Sequence, residues 1–208
     1  SIRRRFDMRM RNELQVVVTV LSIDDQNDPD VPSLLAASLA LSLSDIPWQG
    51  PIAGIRGGKA ENRIVNPTYP ERTEAMLDVI VSGTKERINM LEAGAREISE
   101  DEFADALEWG SGYIKELVSF QEEIIKEHGR PKASPALLPV PDTLKNILKK
   151  EFSSKIEEAV YQNEKQSMHE DLGKVKEEWL RRAAELTPDT FQKNAAEYLF
   201  DEEIDRIV

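Results

Sequence analysis

The sequence predicts an α+β chain: a mixed sheet carrying a packed helix, followed by an all-α helical bundle. Three observations lead there. Short β-branched and apolar runs, punctuated by Gly, Pro and Asn, recur up to about residue 95. An uncharged Leu/Ala/Ser stretch from Ser33 to Leu43 interrupts them, and from Ser99 onward the apolar residues repeat at helical spacing behind recognisable caps.

In chain order, "ELQVVVTVLSI" (13–23) is β-branched, apolar and bounded by "DDQNDPD", which reads as a buried strand. Asp28 or Asp30 then caps a helix whose first turn accommodates Pro32 and which runs to about Ser44, where "DIP" stops it. Its small side chains suit close approach on several sides better than an amphipathic surface position. "GPIAGIRGGK", "NRIVNPT", "MLDVIVSGT" and "RINMLEAGA" are short strand candidates whose spacing suggests antiparallel pairs, with "SGT" turning a hairpin between 76–82 and 87–94.

The second half is helical. Ser99 with Glu102 forms a capping box, and Phe103, Ala106, Leu107, Tyr113, Ile114, Leu117, Val118, Ile124 and Ile125 continue one long helix that Gly129 and Pro131 end. "RPKASPALLPVPD" is a proline-rich linker, placed at 130–141. Asp142 caps an expected helix over about 142–165, a third spans roughly 168–186, and Thr187-Pro188 has the cap-then-proline signature of a fourth.

At 208 residues and 40% hydrophobic content this is an ordinary globular composition. The absence of cysteine excludes a disulfide scaffold, a thiol nucleophile and thiolate metal sites, and fits a reducing compartment. "SIRRRFDMRMRNELQ" has no signal-peptide core, and the uncharged run near residue 40 is too short and too rich in serine to span a bilayer; a soluble, cytoplasmic chain with no membrane partner is expected. The net charge of −12 is uneven: residues 1–96 carry 12 Lys and Arg against 13 Asp and Glu, the remainder 15 against 26. The first dozen residues hold Arg3, Arg4, Arg5, Arg9 and Arg11 against Asp7, a candidate phosphate footprint whose plain alternative is an exposed terminus.

Reactive constellations are scarce. His128 lies at a helix end and His169 on a charged helix, neither beside a nucleophile. "DDQNDPD" lacks the glycine and terminal glutamate of a calcium loop, and "IRGGK" lacks the spacing of a phosphate-cradling loop and reads as a tight turn. By residue chemistry alone the chain is a binding or assembly piece.

"RNELQVVVTVLSID", "NDPDVPSLLAASLALSLSDIPWQGPIAGIR", "VNPT", "LDVIVSGT" and "SEDEFADAL" occur in the order, and at nearly the spacing, of the bacterial polynucleotide phosphorylase family. The resemblance covers residues 2 to about 131 and is most specific in "ASLALSLSDIPWQGPI". Beyond it the chain is similar to that family in being helical and acidic. The family joins two copies of an RNase PH-like domain through an all-helical domain, adds RNA-binding domains, and forms a three-subunit ring. The resemblance implies that residues 1–94 are the end of the first copy and residues 95–208 the helical domain, the whole being a fragment.

The implied activity of the parent is 3′-to-5′ phosphorolysis of single-stranded RNA. Inorganic phosphate attacks the terminal phosphodiester and a nucleoside diphosphate leaves, with Mg2+ assisting from outside this fragment. The resemblance further implies a homotrimer, RNA-degradation machinery proteins as partners, and a role in mRNA degradation and RNA processing. In the family's active copy a serine pair at a helix start binds phosphate, and an Asp-x-Lys lies on the strand before the turn. Here Pro29 and Asp30 stand at the serine positions, Asp78 matches the aspartate, and Ile80 replaces the lysine. The copy is therefore expected to be non-catalytic, with a degenerate phosphate site and no metal of its own. Arg3 aligns with a basic segment near the RNA path; Arg4 and Arg5 join it as RNA-binding candidates on charge. The alternative readings are a stand-alone acidic helical interaction module and an RNA-binding adaptor without an enzyme.

Overall fold

The computed structural model describes residues 1–59, 62–187 and 192–208. They form two compact units, one of residues 1–7 with 12–135, the other of 8–11 with 136–208. The α+β class is what the structure has. Among the described residues no helix is long and apolar enough to cross a membrane.

The first unit is built on a four-stranded sheet: β1 (Ala53–Lys59), β2 (Arg63–Val65), β3 (Leu77–Gly83) and β4 (Ile88–Ala95), in the order β2-β1-β3-β4. All three pairings are antiparallel, with Ile55 opposite Val81 and Val79 opposite Ala93, so among the described strands the expected mixed sheet is an antiparallel one. "IRGGK" is not a turn but the last five residues of β1. Its glycines serve packing: a Cβ on Gly58 would lie 3.0 Å from Pro67, and one on Gly57 3.3 Å from Trp109.

Helix α3 (Glu100–His128) starts at the expected Ser99/Glu102 capping box and covers one sheet face, where Ala106, Ile114 and Val118 pack with Leu77, Val79 and Val81. Helix α1 (Asp30–Leu43) packs beside β1, where Leu34 lies over Gly54, and its Leu41 joins Trp48 and Ile52 in a second cluster. Between the helices, the buried Ile52 backbone is held from both sides: its N–H donates to Ser38 Oγ (3.0 Å), and its carbonyl accepts from Gln121 Nε2 (2.8 Å). These contacts satisfy polar backbone that no ladder reaches. The division expected at 94/95 follows the change from strand to helix, whereas packing keeps α3 with the sheet and parts the units near residue 135.

Two expectations fail here. Residues 13–23 form no strand: they are extended and exposed, with Val17 at 70% and Leu21 at 93%, and their backbone enters no ladder among the described residues. Apolar β-branched sequence favours a strand only where a neighbouring strand supplies hydrogen bonds and a surface to pack on. The same lack of cover leaves α1 buried on one face, Ala37, Ser38, Leu41 and Ser42, while Ala36 and Ala40 stay exposed.

The second unit comprises α4 (Asp142–Glu151), α5 (Ser153–Val160), α6 (Lys165–Leu186) and α7 (Lys193–Ile207) around Leu144, Leu148, Phe152, Ile156, Trp179, Ala183, Ala196, Leu199 and Phe200. Met10 bridges to Leu137, and Leu138 N–H donates to Arg9 O (2.9 Å), which ties residues 8–11 into this unit. The single helix expected over 142–165 breaks at Phe152 (φ −123°, ψ −18°), whose ring stands edge-on to Trp179 at 5.5 Å. Leu148, Phe152 and Ile156, spaced four apart across the break, still face one core. Asp142 sits in the first turn of α4 rather than at its cap, which is Pro141. Pro188, half of the expected cap-then-proline signature, lies outside the described residues.

Ser153 Oγ at the head of α5 donates to the buried Glu203 Oε1 on α7 (2.7 Å), and Arg206 Nη2 donates to the same oxygen (2.7 Å). The hydrogen bond from Arg206, opposed by burial, leaves the Glu203 carboxyl below its ordinary pKa. A carboxyl depressed in the folded state adds stability that is complete above the unfolded value and lost as pH falls through the folded one. Glu203→Gln should therefore flatten the acid limb of the stability–pH curve below about pH 4.5, which urea titrations at stepped pH will read.

Candidate functional site: a charge network at the head of α1

Four backbone segments converge on the N-terminus of α1. β1 brings Arg56, whose own backbone is clasped by Asn66: Arg56 N–H donates to Asn66 Oδ1 (3.0 Å) and Asn66 N–H to Arg56 O (2.7 Å). β3 brings Asp78, two residues before Ile80, and Ile80 is the direct cross-strand partner of Arg56. Helix α2 (Tyr69–Glu74), started by a Thr68/Glu71 capping box, brings Arg72, which also lies over the Tyr69 ring at 5.6 Å. The Thr68 hydrogen bonds hold the Glu71 carboxyl below its ordinary pKa. The loop before α1 supplies Asp28, Pro29 and Asp30.

The charges close on one another. Arg56 Nη1 donates to both oxygens of Asp78 (2.9 Å each) and Arg56 Nη2 to Asp30 Oδ2 (2.7 Å). Arg72 Nε donates to Asp78 Oδ2 (3.1 Å) and its Nη1 to Asp28 Oδ2 (2.9 Å). Arg56 is nearly buried; its desolvation opposes the charge, but Asp30 and Asp78 outweigh it and raise the guanidinium pKa. Two guanidiniums thus face three carboxylates, and the excess charge is negative.

The helix N-terminus has no donor left for an anion in its first turn. Asp30 N–H donates to Asp28 Oδ1 (3.2 Å), Val31 N–H to Asp30 Oδ1 (2.6 Å), Pro32 has no N–H, and Ser33 N–H donates to the Pro29 carbonyl (3.0 Å). The positive end of the helix dipole is answered internally by Asp30. A groove of about 460 Å³ opens beside it, its wall mixing apolar residues such as Val18, Val20 and Ile23 with polar ones that include Asp24 and Asp28, whose carboxylates make it unsuited to phosphate. Nor does the donor set suit a divalent cation: the carboxylates of Asp28, Asp30 and Asp78 are engaged by guanidiniums.

Of the residues singled out in the sequence, the structure brings together Asp30 and Asp78 through Arg56, places Pro29 at the helix cap, and sets Ile80 half-buried beside Arg56. Sequence reasoning missed Arg56 and Arg72. The available signal was Arg56 as a charge in the middle of an apolar, glycine-rich strand run. Arg3, Arg4 and Arg5 form one 3-10 turn. Arg3 and Arg4 are exposed, whereas Arg5 Nε donates to Gln49 O (2.8 Å), with Gln49 N–H returning to Arg5 O (2.9 Å).

Residues 50–112, which hold the whole sheet and half of α3, match the model of the 3' exoribonuclease family, domain 2. Polyribonucleotide nucleotidyltransferase from Exiguobacterium sibiricum is 43% identical over 167 residues, covering 80% of this chain and 23% of that protein. Along most of its length this chain is homologous to one segment of polyribonucleotide nucleotidyltransferase. The enzyme of the same name from Streptococcus gordonii is 42% identical over 165 residues, or 79% of this chain and 23% of its own. The likeness to polyribonucleotide nucleotidyltransferase of Streptococcus mutans, 39% over 204 residues, extends through the helical unit and covers 95% of this chain and 28% of that protein. The chain spans about a quarter of the length of these relatives.

Proposed function

We propose that the chain is the non-catalytic part of a phosphorolytic 3′-to-5′ exoribonuclease. Residues 1–94 are the end of a first RNase PH-like domain and residues 95–208, with the linker at 130–141, the helical domain. The observation that carries the non-catalytic reading is the α1 N-terminus, where every first-turn donor is used or absent and three carboxylates surround two guanidiniums. Phosphate there would meet Asp30 at van der Waals range, and like charges so close repel strongly wherever water is partly excluded. The parent enzyme takes inorganic phosphate, Mg2+ and single-stranded RNA at a site outside this segment, works as a homotrimer alongside RNA-degradation proteins, and resides in the cytoplasm. This segment serves assembly and RNA guidance, for which Arg3 and Arg4 are the exposed cations and Arg5 the anchored one.

One experiment on the 208-residue chain tests both halves. Incubated with poly(A) and inorganic phosphate, it should release no nucleoside diphosphate above blank; robust release overturns the non-catalytic reading. In the same preparation, replacing Arg3, Arg4 and Arg5 with Gln should weaken RNA binding irrespective of sequence and shallow the salt dependence by about one power of salt per lost phosphate contact. RNA affinity that does not change removes guidance from the proposal and leaves assembly.

A further inference from the structure

Helix α1 ends without a charge of its own: its last turn holds no basic residue, and its final carbonyls need donors from elsewhere. Ser44 supplies two, its N–H to Ala40 O (3.2 Å) and its Oγ to Leu41 O (2.8 Å), and the others come from the segment that follows α3. Lys132 Nζ donates to Leu41 O (2.8 Å), Ser42 O (3.0 Å) and Ser44 O (2.7 Å), which uses all three hydrogens of its ammonium. A cation at this end also meets the negative pole of the helix dipole. Burial lowers the Lys132 pKa and the nearby Asp45 carboxylate draws it back up, so the group is partly desolvated where it sits.

The backbone around it follows. Arg130 N–H donates to Leu43 O (3.1 Å) and Ala133 N–H to Asp45 O (2.8 Å), so residues 130–133 run along the end of α1 instead of hanging free as a linker. On the other side, Leu137 is bridged to Met10 and Leu138 bonded to Arg9, both within the helical unit.

We infer that Lys132 is a built-in clip: its ammonium closes the C-terminal end of α1 and holds residues 130–133 on the sheet unit. Any change that removes the charge, by substitution or by acylation of the amine, frees residues 130–133 from the end of α1 without touching the sheet core.

Hydrogen exchange on the 208-residue chain tests this. In Lys132→Gln the Arg130 and Ala133 amides should exchange about ten-fold faster, while the amides of the central strand β3 keep their protection. Lys132→Arg, which retains charge and donors, should hold Ala133 within about two-fold of the parent chain. Unchanged protection of Ala133 in the Gln variant overturns the clip. Equal loss in the Arg variant overturns the role of the charge, and simultaneous loss across β3 shows a general stabiliser rather than a local clip.

Discussion

Replacing Arg56 with Met should lower the unfolding free energy of the chain by about 3 kcal/mol, one of the two largest effects expected of a single substitution in it. Met keeps much of the aliphatic stem, so the loss falls on the charge. Asp28, Asp30 and Asp78 would then share Arg72 alone, and Asp30 would lose the guanidinium 2.7 Å away. Stranding a carboxylate that a buried guanidinium had compensated costs about 3–5 kcal/mol; the lower end applies because these carboxylates keep a quarter or more of their side-chain surface in water. Adding Asp30→Asn to Arg56→Met should recover a large part of the loss, since the repulsion at the helix head is relieved. Urea unfolding of the two single variants and the double gives the coupling directly. A loss under about 1 kcal/mol for Arg56→Met would mean that water already screens the network as it screens a surface pair.

That network also marks where sequence reading succeeded and stopped. Pro29 and Asp30 were legible as the wrong residues for phosphate, because a proline and an aspartate at a helix start carry their chemistry in their identity. Arg56 and Arg72 were not, because their role depends on which strand pairs with which: only the β1–β3 register sets Arg56 beside Ile80 and within reach of Asp78. The four strands and the helices α1 and α3 followed from turn residues and caps, which act locally. Residues 13–23 show the converse. Val16, Val17, Val18 and Val20 say strand in any local scale, yet a strand is a relation between segments, and no described neighbour completes it. The break at Phe152 was hidden for the same reason, since nothing in "KKEFSSK" interrupts helical spacing; the demand comes from Trp179 and Glu203 on other helices.

Trp179→Ala should unfold the helical unit while leaving the sheet unit folded. Trp179 is fully buried, its Nε1 donates to Ala196 O (2.8 Å), and its ring meets Phe152 edge-on at the α4–α5 break. Truncating a buried tryptophan costs about 3–5 kcal/mol through lost apolar contact and the cavity left behind. A unit of this size has a total stability of about 4–11 kcal/mol, so the substitution removes a large share of it. The two hydrophobic clusters of the sheet unit draw only on residues within that unit, which is why the damage should stay local. The measurement is amide protection resolved by segment: α4 to α7 lose it, and β1, β3 and α3 keep it. Trp179→Phe, which keeps a ring against Phe152 but gives up the bond to Ala196, should cost less than half as much and leave the unit folded. If both units lose protection together, the cooperative unit is the whole chain, and the packing boundary near residue 135 is not a boundary in stability.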